Sequence, residues 1–234
     1  MADNKIALVG YGKMGRMLDR LAPEFGLEVA LRLKAVDNAG SGGITAGNFS
    51  EIAVAIDFST PEAAPENLVR LAEIGVPAVC GTTGWLDHLE RVRQAVERAN
   101  IGLVYGANFS VGINAFYRIV ETAARLMTAE AEYDAWAYEA HHKMKKDAPS
   151  GTMLRLLEAM KQAGYEKPVD LATNRAGYVP GVHEIGFDSE ADTIRLSHTA
   201  RSRAGFARGA LRAARWIRGR TGLYDFSHVW DQMG

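Results

Sequence analysis

The feature that most constrains this chain is a glycine-rich loop between a predicted strand and a predicted helix. The apolar run Ile6–Val9 ends at Gly10-x-Gly12-x-x-Gly15, and apolar residues then recur at helical spacing as far as Leu21. Gly10 permits a sharp turn, Gly12 lets the backbone approach a pyrophosphate, and Gly15 allows the helix to pack closely on the sheet. The helix N-terminus adds free N–H groups and a positive dipole end. A plain glycine turn is the alternative, but the strand–loop–helix context predicts a dinucleotide-binding site. Its predicted cofactor-binding residues are Gly10, Tyr11, Gly12, Lys13, Met14 and Gly15.

Strands and helices alternate through about the first 105 residues. After the first unit, strands are predicted at Leu27–Leu33, Val54–Phe58, Val76–Cys80 and Gly102–Tyr105. Helices are predicted at Pro61–Ile74 and at Asp87–Ala99. The run Ser59–Glu62 has the pattern of a helix start, with a capping hydroxyl, a proline in the first turn and an acid three residues after the serine. This order predicts an α/β fold with a Rossmann-like, doubly wound parallel sheet and helices on both faces.

The second half of the chain has a different pattern. Helices are predicted at Asn114–Met127, Thr152–Ala163 and Phe206–Arg218, and strands at Ala131–Ala140, His183–Asp188 and Thr193–Thr199. We therefore expect an α+β domain with an open mixed sheet. The predicted boundaries are residues 1–107 for the dinucleotide-binding domain and 108–204 for a substrate-binding and oligomerisation domain. A C-terminal helical segment at about 205–234 is predicted to pack back on the first domain.

Charge and cysteine content narrow the class of protein. The 27 Lys and Arg residues nearly balance the 28 Asp and Glu residues, and the net charge of −1 gives no reason to expect a nucleic-acid or membrane partner. The only cysteine is Cys80, so no disulfide can form within the chain, and a reducing compartment is expected. No targeting signal or apolar segment of membrane-spanning length is evident, and we expect a cytoplasmic protein.

The loops at the carboxyl ends of the later strands are also expected to meet the cofactor, because ligands of open α/β sheets bind there. For the nicotinamide half these residues are Phe58, Gly81, Thr82, Thr83, Gly106, Ala107, Asn108 and Phe109. For the adenosine ribose, the acid Asp37 would bind a 2′-hydroxyl, whereas Arg32 or Lys34 would favour a 2′-phosphate. Solvated surface charge is the alternative for all three, so the cofactor is predicted to be NADH or NADPH.

The segment Glu139–Thr152 carries the densest group of reactive side chains. Two histidines end a strand, three lysines follow, and a Pro-Ser-Gly-Thr turn opens a helix whose first N–H groups can hold a carboxylate. A histidine or lysine there can supply a proton to a hydride acceptor. Adjacent strand residues point to opposite faces, so at most one of His141 and His142 should face a given pocket. The alternative for Asp147 is that it caps the turn and holds Lys145 rather than acting chemically. No metal site is predicted.

With these motifs the sequence resembles the dihydrodipicolinate reductase (4-hydroxy-tetrahydrodipicolinate reductase) family. The signature is Glu139-Ala-His-His-x-x-Lys145-x-Asp-Ala-Pro-Ser-Gly-Thr152. Further blocks follow the family order and lie at Val9–Arg16, Gly81–Gly84, Asn108–Gly112, Val179–Glu184 and Arg203–Ala210. The resemblance implies hydride transfer from NADH or NADPH to a cyclic unsaturated imine dicarboxylate, which gives tetrahydrodipicolinate in lysine and diaminopimelate biosynthesis.

The resemblance also implies residue roles. His141 would be the catalytic proton donor and Lys145 a second one, and the substrate-binding residues would be His142, Ser150, Gly151 and Thr152. It further implies a homotetramer built through the sheet of the second domain and closure on substrate. The stretch Leu33–Phe49 is shorter than is usual in the family and lacks its acidic-then-basic pair, which leaves cofactor preference open. Arg203 could meet substrate or cofactor, or be a surface charge.

Two other functions are compatible with the dinucleotide-binding pattern. An aspartate- or homoserine-type dehydrogenase would share the two-domain plan but would not need the His-His-x-x-Lys and Pro-Ser-Gly-Thr segment. A non-catalytic dinucleotide sensor would keep Gly10–Gly15 and would have no use for the histidines and lysines.

Overall fold

Two separate sheets organise the chain in the computed structural model, which describes residues 4–234. One unit comprises the chain up to Val111 together with Ala204–Gly234, and the other comprises Gly112–Arg203. These limits lie a few residues from the boundaries predicted from the sequence. Each unit has its own hydrophobic core.

The first unit contains a six-stranded sheet in which every registered pair is parallel. Its strands are β1 (Lys5–Val9), β2 (Glu28–Leu33), β3 (Val54–Asp57), β4 (Ala78–Cys80), β5 (Gly102–Tyr105) and β10 (Gly222–Asp225). Its helices are α1 (Lys13–Leu21), α2 (Ala64–Glu73), α3 (Leu89–Ala99), α6 (Ala204–Trp216) and the short α7 (Phe226–Val229). The strand order is β10-β5-β4-β3-β1-β2. The second and third strands of the chain, β2 and β3, therefore pair with β1 on opposite sides. This confirms the Rossmann-like fold, and ligands bind such sheets where the strand order reverses.

Helices cover both faces of this sheet, as predicted. On one face the core is formed with α2 and α3, and on the other with α1 and α6. The buried side of α6 is rich in alanine, so its backbone approaches the sheet closely. The C-terminal segment thus completes the core of the first unit.

The second unit contains a four-stranded mixed sheet of order β7-β6-β8-β9. Its strands are β6 (Asp134–His141), β7 (Val169–Arg175), β8 (Val182–Asp188) and β9 (Thr193–Thr199), and its helices are α4 (Val111–Met127), which begins at the unit boundary, and α5 (Gly151–Gln162). Strand β6 pairs with β7 in parallel and with β8 in antiparallel orientation. One face of the sheet packs on α4 and α5, which confirms the open mixed sheet.

Two strands were not predicted. Strand β7 is a mostly exposed edge strand, VDLATNR, and it lacks the apolar alternation of a half-buried strand. Strand β10 has four residues and no buried position, and it is recognised only because it pairs with β5. Both are fixed by tertiary pairing rather than by local pattern.

The start of α2 differs from the prediction. The helix begins at Ala64, with Pro65 in its first turn, and not at Pro61. The hydroxyl of Ser59 does not cap it, because it donates to the carboxylate of Asp57 at 2.8 Å. Burying the Asp57 carboxylate without hydrogen bonds would cost more free energy than leaving the helix uncapped, so Ser59 bonds to Asp57.

Within residues 4–234, no helix combines the length and apolar character needed to cross a membrane.

Gly209 provides a test of the packing of α6. A Cβ at this position would lie 1.8 Å from the carbonyl oxygen of Phe109, whereas one at Gly205 would meet Ser110 Oγ at an ordinary 3.4 Å. We expect Gly209→Ala to lower the free energy of unfolding by about 2 kcal/mol or more, because backbone must move. Urea denaturation followed by tryptophan fluorescence measures this. Gly205→Ala is the control and should change stability by at most about 1 kcal/mol, on the stabilising side; equal losses in both variants would contradict the packing argument.

Candidate functional site

The glycine loop between β1 and α1 has the geometry of a phosphate cradle. Gly10 has a φ of +89°, and a Cβ there would lie 2.3 Å from the carbonyl oxygen of Phe58. A Cβ at Gly15 would lie 2.5 Å from the carbonyl oxygen of Gly10. A Cβ at Gly12 would meet nothing within 4 Å, so the backbone there borders open space. The first and third glycines are therefore required by the fold, and the second borders space that a ligand can enter.

A pocket of about 420 Å³ lies beside this loop, within the range of small-molecule sites. Gly12 caps α1 without a side-chain hydrogen bond, and the first turn holds no acidic residue, so nothing there repels an anion. These features fit a dinucleotide phosphate. The pocket is lined by Gly12, Lys13, Met14, Phe58, Ser59, Pro61, Gly81, Thr82 and Thr83. Ser59 and Pro61 were not among the predicted cofactor residues, although they directly follow Phe58.

Several other predicted cofactor residues lie outside the pocket lining. Tyr11 donates a hydrogen bond to Asp19 on α1, and Asp37 accepts one from the backbone N–H of Lys34 at 3.3 Å. Phe109 is buried against Phe226, with ring centroids 4.5 Å apart. The remaining residues of this kind are Gly10, Gly15, Gly106, Ala107 and Asn108.

Asp57, at the end of β3, holds two residues of the pocket lining, Ser59 and Thr82, through hydrogen bonds. It was not predicted as a site residue. Its carboxylate is fully buried and accepts hydrogen bonds from Ser59 N–H (3.0 Å), Thr82 Oγ1 (2.6 Å) and Asn67 Nδ2 (2.9 Å). Burial raises the pKa of Asp57, and these hydrogen bonds oppose the shift. The only signal in the sequence was a charged residue inside an apolar strand.

Asn67 extends this network to the segment that follows β2. Its Oδ1 accepts hydrogen bonds from Asn38 Nδ2 at 2.9 Å and from Ser41 Oγ at 2.8 Å. The loops after β2, β3 and β4 are thereby joined through one buried amide and one buried carboxylate.

A second buried carboxylate, Glu139 on β6, lies at the centre of the candidate substrate site. It accepts hydrogen bonds from the Ser150 hydroxyl, from Ser150 N–H at 3.0 Å and from Arg175 Nη2 at 2.7 Å. His141 Nδ1 and His183 Nε2 each lie 3.8 Å from Glu139 Oε2. Four elements of the second unit, β6, β7, β8 and the N-terminus of α5, thus meet at one carboxylate.

The electrostatics of this cluster favour a charged carboxylate and neutral imidazoles. Burial alone would raise the pKa of Glu139, but hydrogen bonds from Ser150 and Arg175 lower it. Burial lowers the pKa of His141, although the charge of Glu139 opposes this. Burial and the neighbouring His141 lower the pKa of His183 to about 4. Both histidines are therefore neutral near pH 7 in the ligand-free chain.

The hydrogen bonds of Ser150 define the tautomer of His183. The Ser150 hydroxyl gives its single proton to Glu139 and accepts the N–H of Met153 at 3.2 Å. His183 Nε2, 3.2 Å from Ser150 Oγ, must therefore be the donor in that contact, which assigns its proton to Nε2. The hydroxyl of Ser150 has no remaining proton to give to a ligand.

The other predicted residues surround this cluster. Lys145 Nζ lies 2.8 Å from both carboxylate oxygens of Asp147. Asp147 therefore holds Lys145, which is the alternative role that the sequence suggested for Asp147. His141 is buried and His142 is half-buried, in a turn closed by the hydrogen bond from Lys145 N–H to His142 O. Gly151 and Thr152 are the first two residues of α5.

Spacing alone would allow Glu139, His141 and His183 to hold a metal ion, because one ligand atom of each lies within 4.8 Å of the others. The guanidinium of Arg175 already pairs with Glu139, however, and a second cation there would be repelled. We retain the prediction that this cluster works without a metal. His183 and Arg175 were not predicted as site residues, although His183 lies in the recognised block Val179–Glu184.

Sequence comparison gives two family matches that together span nearly the whole chain. A family model described as "Dihydrodipicolinate reductase, N-terminus" matches residues 4–109, and one described as "Dihydrodipicolinate reductase, C-terminus" matches residues 112–230. The chain is 34% identical to a 4-hydroxy-tetrahydrodipicolinate reductase of Christiangramia forsetii, over 96% of both chains. It is 37% identical to one of Archaeoglobus fulgidus, over 91% of this chain and 93% of the relative.

Structural comparison agrees at the level of the fold. A dipicolinate-bound dihydrodipicolinate reductase from Paenisporosarcina sp. TG-14 matches with a TM-score of 0.73 and 18% identity, over 96% of this chain and 98% of the other. An amine dehydrogenase from Mycobacterium smegmatis matches less well, with a TM-score of 0.60 and 12% identity, over 94% of each chain.

The buried histidine on β8 predicts an acid-sensitive fold. Since the pKa of His183 is about 4 in the folded chain and 6.5 is its ordinary value, the unfolded chain binds the proton more tightly. Stability is therefore lost as the pH falls below 6.5, until the folded pKa is reached. Between pH 7 and pH 4.5 this residue should account for about 2 kcal/mol of the loss.

Urea denaturation of the wild type and of His183→Gln at both pH values tests this. The variant, which cannot take up that proton, should lose less stability on acidification. His228→Gln, at an exposed position, is the control for loss of an imidazole. An identical pH dependence in wild type and His183→Gln would show that His183 is not the group responsible.

Proposed function

The chain belongs to the dihydrodipicolinate reductase family, and from that membership we propose which of its own residues carry out the family's reaction. It is an NAD(P)H-dependent oxidoreductase that acts as a 4-hydroxy-tetrahydrodipicolinate reductase in lysine and diaminopimelate biosynthesis. One observation supports the residue assignment most directly: Glu139 connects the strand that carries His141 to the N-terminus of α5.

The reaction adds one hydride and one proton to a cyclic unsaturated imine dicarboxylate and yields tetrahydrodipicolinate. The reduced nicotinamide supplies the hydride when it is bound. The chain must hold two carboxylates, orient the ring and deliver the proton. The Paenisporosarcina reductase is bound to dipicolinate, which supports a cyclic dicarboxylate as the ligand of this chain.

His141 is the proposed proton donor, with Lys145 as the second. The negative charge of Glu139, 3.8 Å from Nδ1, stabilises the protonated imidazole relative to an equally buried site without that carboxylate. Arg175 holds Glu139 on its other side, which keeps the carboxylate charged. Protonation of His141 is therefore unfavourable in the free chain and becomes easier when a dianionic substrate adds negative charge.

The N-terminus of α5 is the proposed carboxylate site. Its first free N–H groups belong to Gly151 and Thr152, since Ser150 takes the N–H of Met153. The family resemblance also implies that Ser150 binds the substrate. In this chain, however, the hydroxyl and the backbone N–H of Ser150 both donate hydrogen bonds to Glu139. In this proposal Ser150 positions the helix end, while His142 and Lys145 provide side-chain contacts to the substrate.

The pocket beside Gly12 is the proposed site for the nicotinamide and pyrophosphate portions of NADH or NADPH. Its residues fit this role because the helix end, Lys13 and the exposed Thr83 offer donors to an anion, whereas Phe58 and Pro61 offer apolar surface to a ring. We also propose a cytoplasmic location, which the free, buried thiol of Cys80 supports.

A homotetramer assembled through the second sheet is also proposed. The face of that sheet opposite α4 and α5 carries a groove of about 670 Å³ in which Trp136, Tyr138 and Arg195 are partly or fully exposed. The Arg195 guanidinium lies 5.5 Å from the Trp136 ring centroid and 2.8 Å from Glu184. Trp, Tyr and Arg are enriched at protein interfaces, which supports this face as the subunit contact.

The function is tested by following nicotinamide absorbance while a synthase supplies the unstable substrate, with NADH and with NADPH. Lys145→Ala should lower kcat by roughly 100-fold or more, the size expected for a lost proton donor. Lys146→Ala, one residue further and exposed, is the matched control and should keep most of the activity. Unchanged kcat in Lys145→Ala would remove Lys145 from this role. Tight nucleotide binding without turnover in the wild type would instead support the sensor alternative.

The assembly is tested by light scattering coupled to size exclusion. Trp136→Glu should convert the tetramer to smaller species, because it places a charge in the centre of the proposed contact. Leu126→Glu, on the exposed side of α4, is the control and should leave the mass unchanged. A wild-type monomer, or a Trp136→Glu variant with the wild-type mass, would contradict the proposal.

A further inference from the structure

The segment 142–149 connects β6 to the start of α5, and we call it the lysine loop. Its start is tied by backbone hydrogen bonds to the residues that follow β7. Ala176 N–H donates to His141 O at 2.9 Å, and Lys143 N–H donates to Gly177 O at 3.2 Å. The chain next to β6 therefore fixes where the loop begins.

A side chain of the same neighbouring strand holds the far end of the loop. Arg175 is the last residue of β7 and is in register with His141. Its Nη2 donates to Glu139 Oε1 at 2.7 Å and to the backbone carbonyl oxygen of Asp147. The carboxylate of Asp147 in turn holds Lys145 Nζ at 2.8 Å. One nitrogen atom thus connects the carboxylate beside His141 with the residue that holds Lys145.

The orientation of this guanidinium indicates a bridge and not a simple ion pair. Arginine and a carboxylate frequently pair through two parallel N–H···O bonds. Arg175 instead turns Nη2 to two different acceptors, while its Nη1 donates to Asn174 O at 2.8 Å. Its Nε is buried and has no hydrogen-bond partner among residues 4–234, which is unfavourable for an N–H group. The contact with the backbone of Asp147 is what this orientation gains.

The charges around Arg175 favour the same arrangement. Burial would raise the pKa of Glu139, but hydrogen bonds from Ser150 and Arg175 lower it. The hydrogen bond from Lys145 lowers the pKa of Asp147, and the charge of Arg175 adds to this effect. Both carboxylates are therefore charged near pH 7. Since the Arg175 side chain is only 18% exposed, water screens its contacts less than those of a surface pair.

The lysine loop needs support from outside because it buries little of its own surface. Its exposed residues are Lys143, Met144, Lys146, Asp147 and Ala148. Segments with few buried contacts open locally at a low cost in free energy. Without a contact at the end of the loop, Lys145 would therefore take many positions relative to His141.

We propose that Arg175 is a positioning residue that fixes Lys145 relative to His141, so that both side chains can act on one bound substrate. The proposal rests on the function proposed above and adds to it a residue that donates no proton itself. Arg175 acts through the backbone of Asp147, at the end of the lysine loop. Such a contact matters for turnover because a displacement of about 1 Å in the reacting geometry can cost roughly 100-fold in rate.

The experiment compares Arg175→Lys in the wild-type chain and in Lys145→Ala. Arg175→Lys keeps the charge beside Glu139 but lacks the planar fork that serves two acceptors. With Lys145 present, kcat in the coupled assay should fall roughly tenfold, because the proton donor is displaced. In the Lys145→Ala background the same change should lower kcat by less than about twofold, because no ammonium is left to position. A residue that only stabilises the fold would give equal losses in both backgrounds.

Binding of dipicolinate gives a second readout, which does not depend on turnover. Its dissociation constant is measured by calorimetry, with nucleotide present, for the same four chains. Since Lys145 is a proposed contact of the substrate, Arg175→Lys should weaken binding by roughly threefold when Lys145 is present. It should cause no further loss in Lys145→Ala. This comparison decides the matter if Lys145→Ala is too slow for kcat to be compared.

Arg155→Lys is the matched control. It makes the same exchange in the same unit, at an exposed guanidinium that lies 4.6 Å from the ring centroid of Tyr117. Turnover and dipicolinate binding should both stay close to those of the wild type. A loss as large as that of Arg175→Lys would contradict a specific role for Arg175.

Equal losses of kcat in the two backgrounds, or equal losses of dipicolinate affinity, would overturn the proposal, as would a wild-type kcat in Arg175→Lys. If urea denaturation shows that Arg175→Lys does not fold, Arg175→Gln takes its place in both backgrounds and is judged in the same way. A wild-type chain without turnover would overturn the proposed function itself, and this inference with it.

Discussion

A fully buried carboxylate at or near the end of a strand determines the local structure of each unit. Asp57 on β3 and Glu139 on β6 both have no exposed surface, and isolated carboxylates are very costly to bury. The surrounding loops therefore have to supply donors. Asp57 draws them from Ser59, Thr82 and Asn67, and Glu139 draws them from Ser150 and Arg175. The two candidate sites are built on the loops fixed in this way.

The same requirement explains why two serines do not have the roles that their local sequence suggests. Ser59 has the pattern of a helix cap, and Ser150 has that of a direct substrate ligand, but each gives its hydroxyl proton to the nearby carboxylate. Ser150 still caps α5 as an acceptor, since it takes the N–H of Met153. The N–H groups of Gly151 and Thr152 are thereby left for an anion, so the buried carboxylate indirectly determines which part of the turn can bind a ligand.

The parts of the fold that depend on local pattern could be predicted from the sequence. The glycine loop, the alternation of strands and helices and the mixed second sheet all have such patterns. Strands β7 and β10 could not be found, because their pairing partners β6 and β5 define them. Asp57, Arg175 and His183 were missed as site residues for a related reason: a lone polar residue in a strand shows its function only when the residues it contacts are known. The separation in sequence between Glu139 and Arg175 hides their 2.7 Å contact.

Three of the cations near the candidate sites are paired with carboxylates of the chain. Arg32 pairs with Asp19, Lys145 with Asp147, and Arg175 with Glu139. An anionic ligand that approaches Arg32 or Lys145 must share or replace a carboxylate that is already there, so its affinity reflects the difference between two anions and not the full attraction of a free cation. In return, the cation is oriented before the ligand arrives, which reduces the entropy lost on binding. Glu139 differs from the other two carboxylates because it is completely buried: a ligand cannot replace it, and its charge remains beside His141 when the substrate is bound.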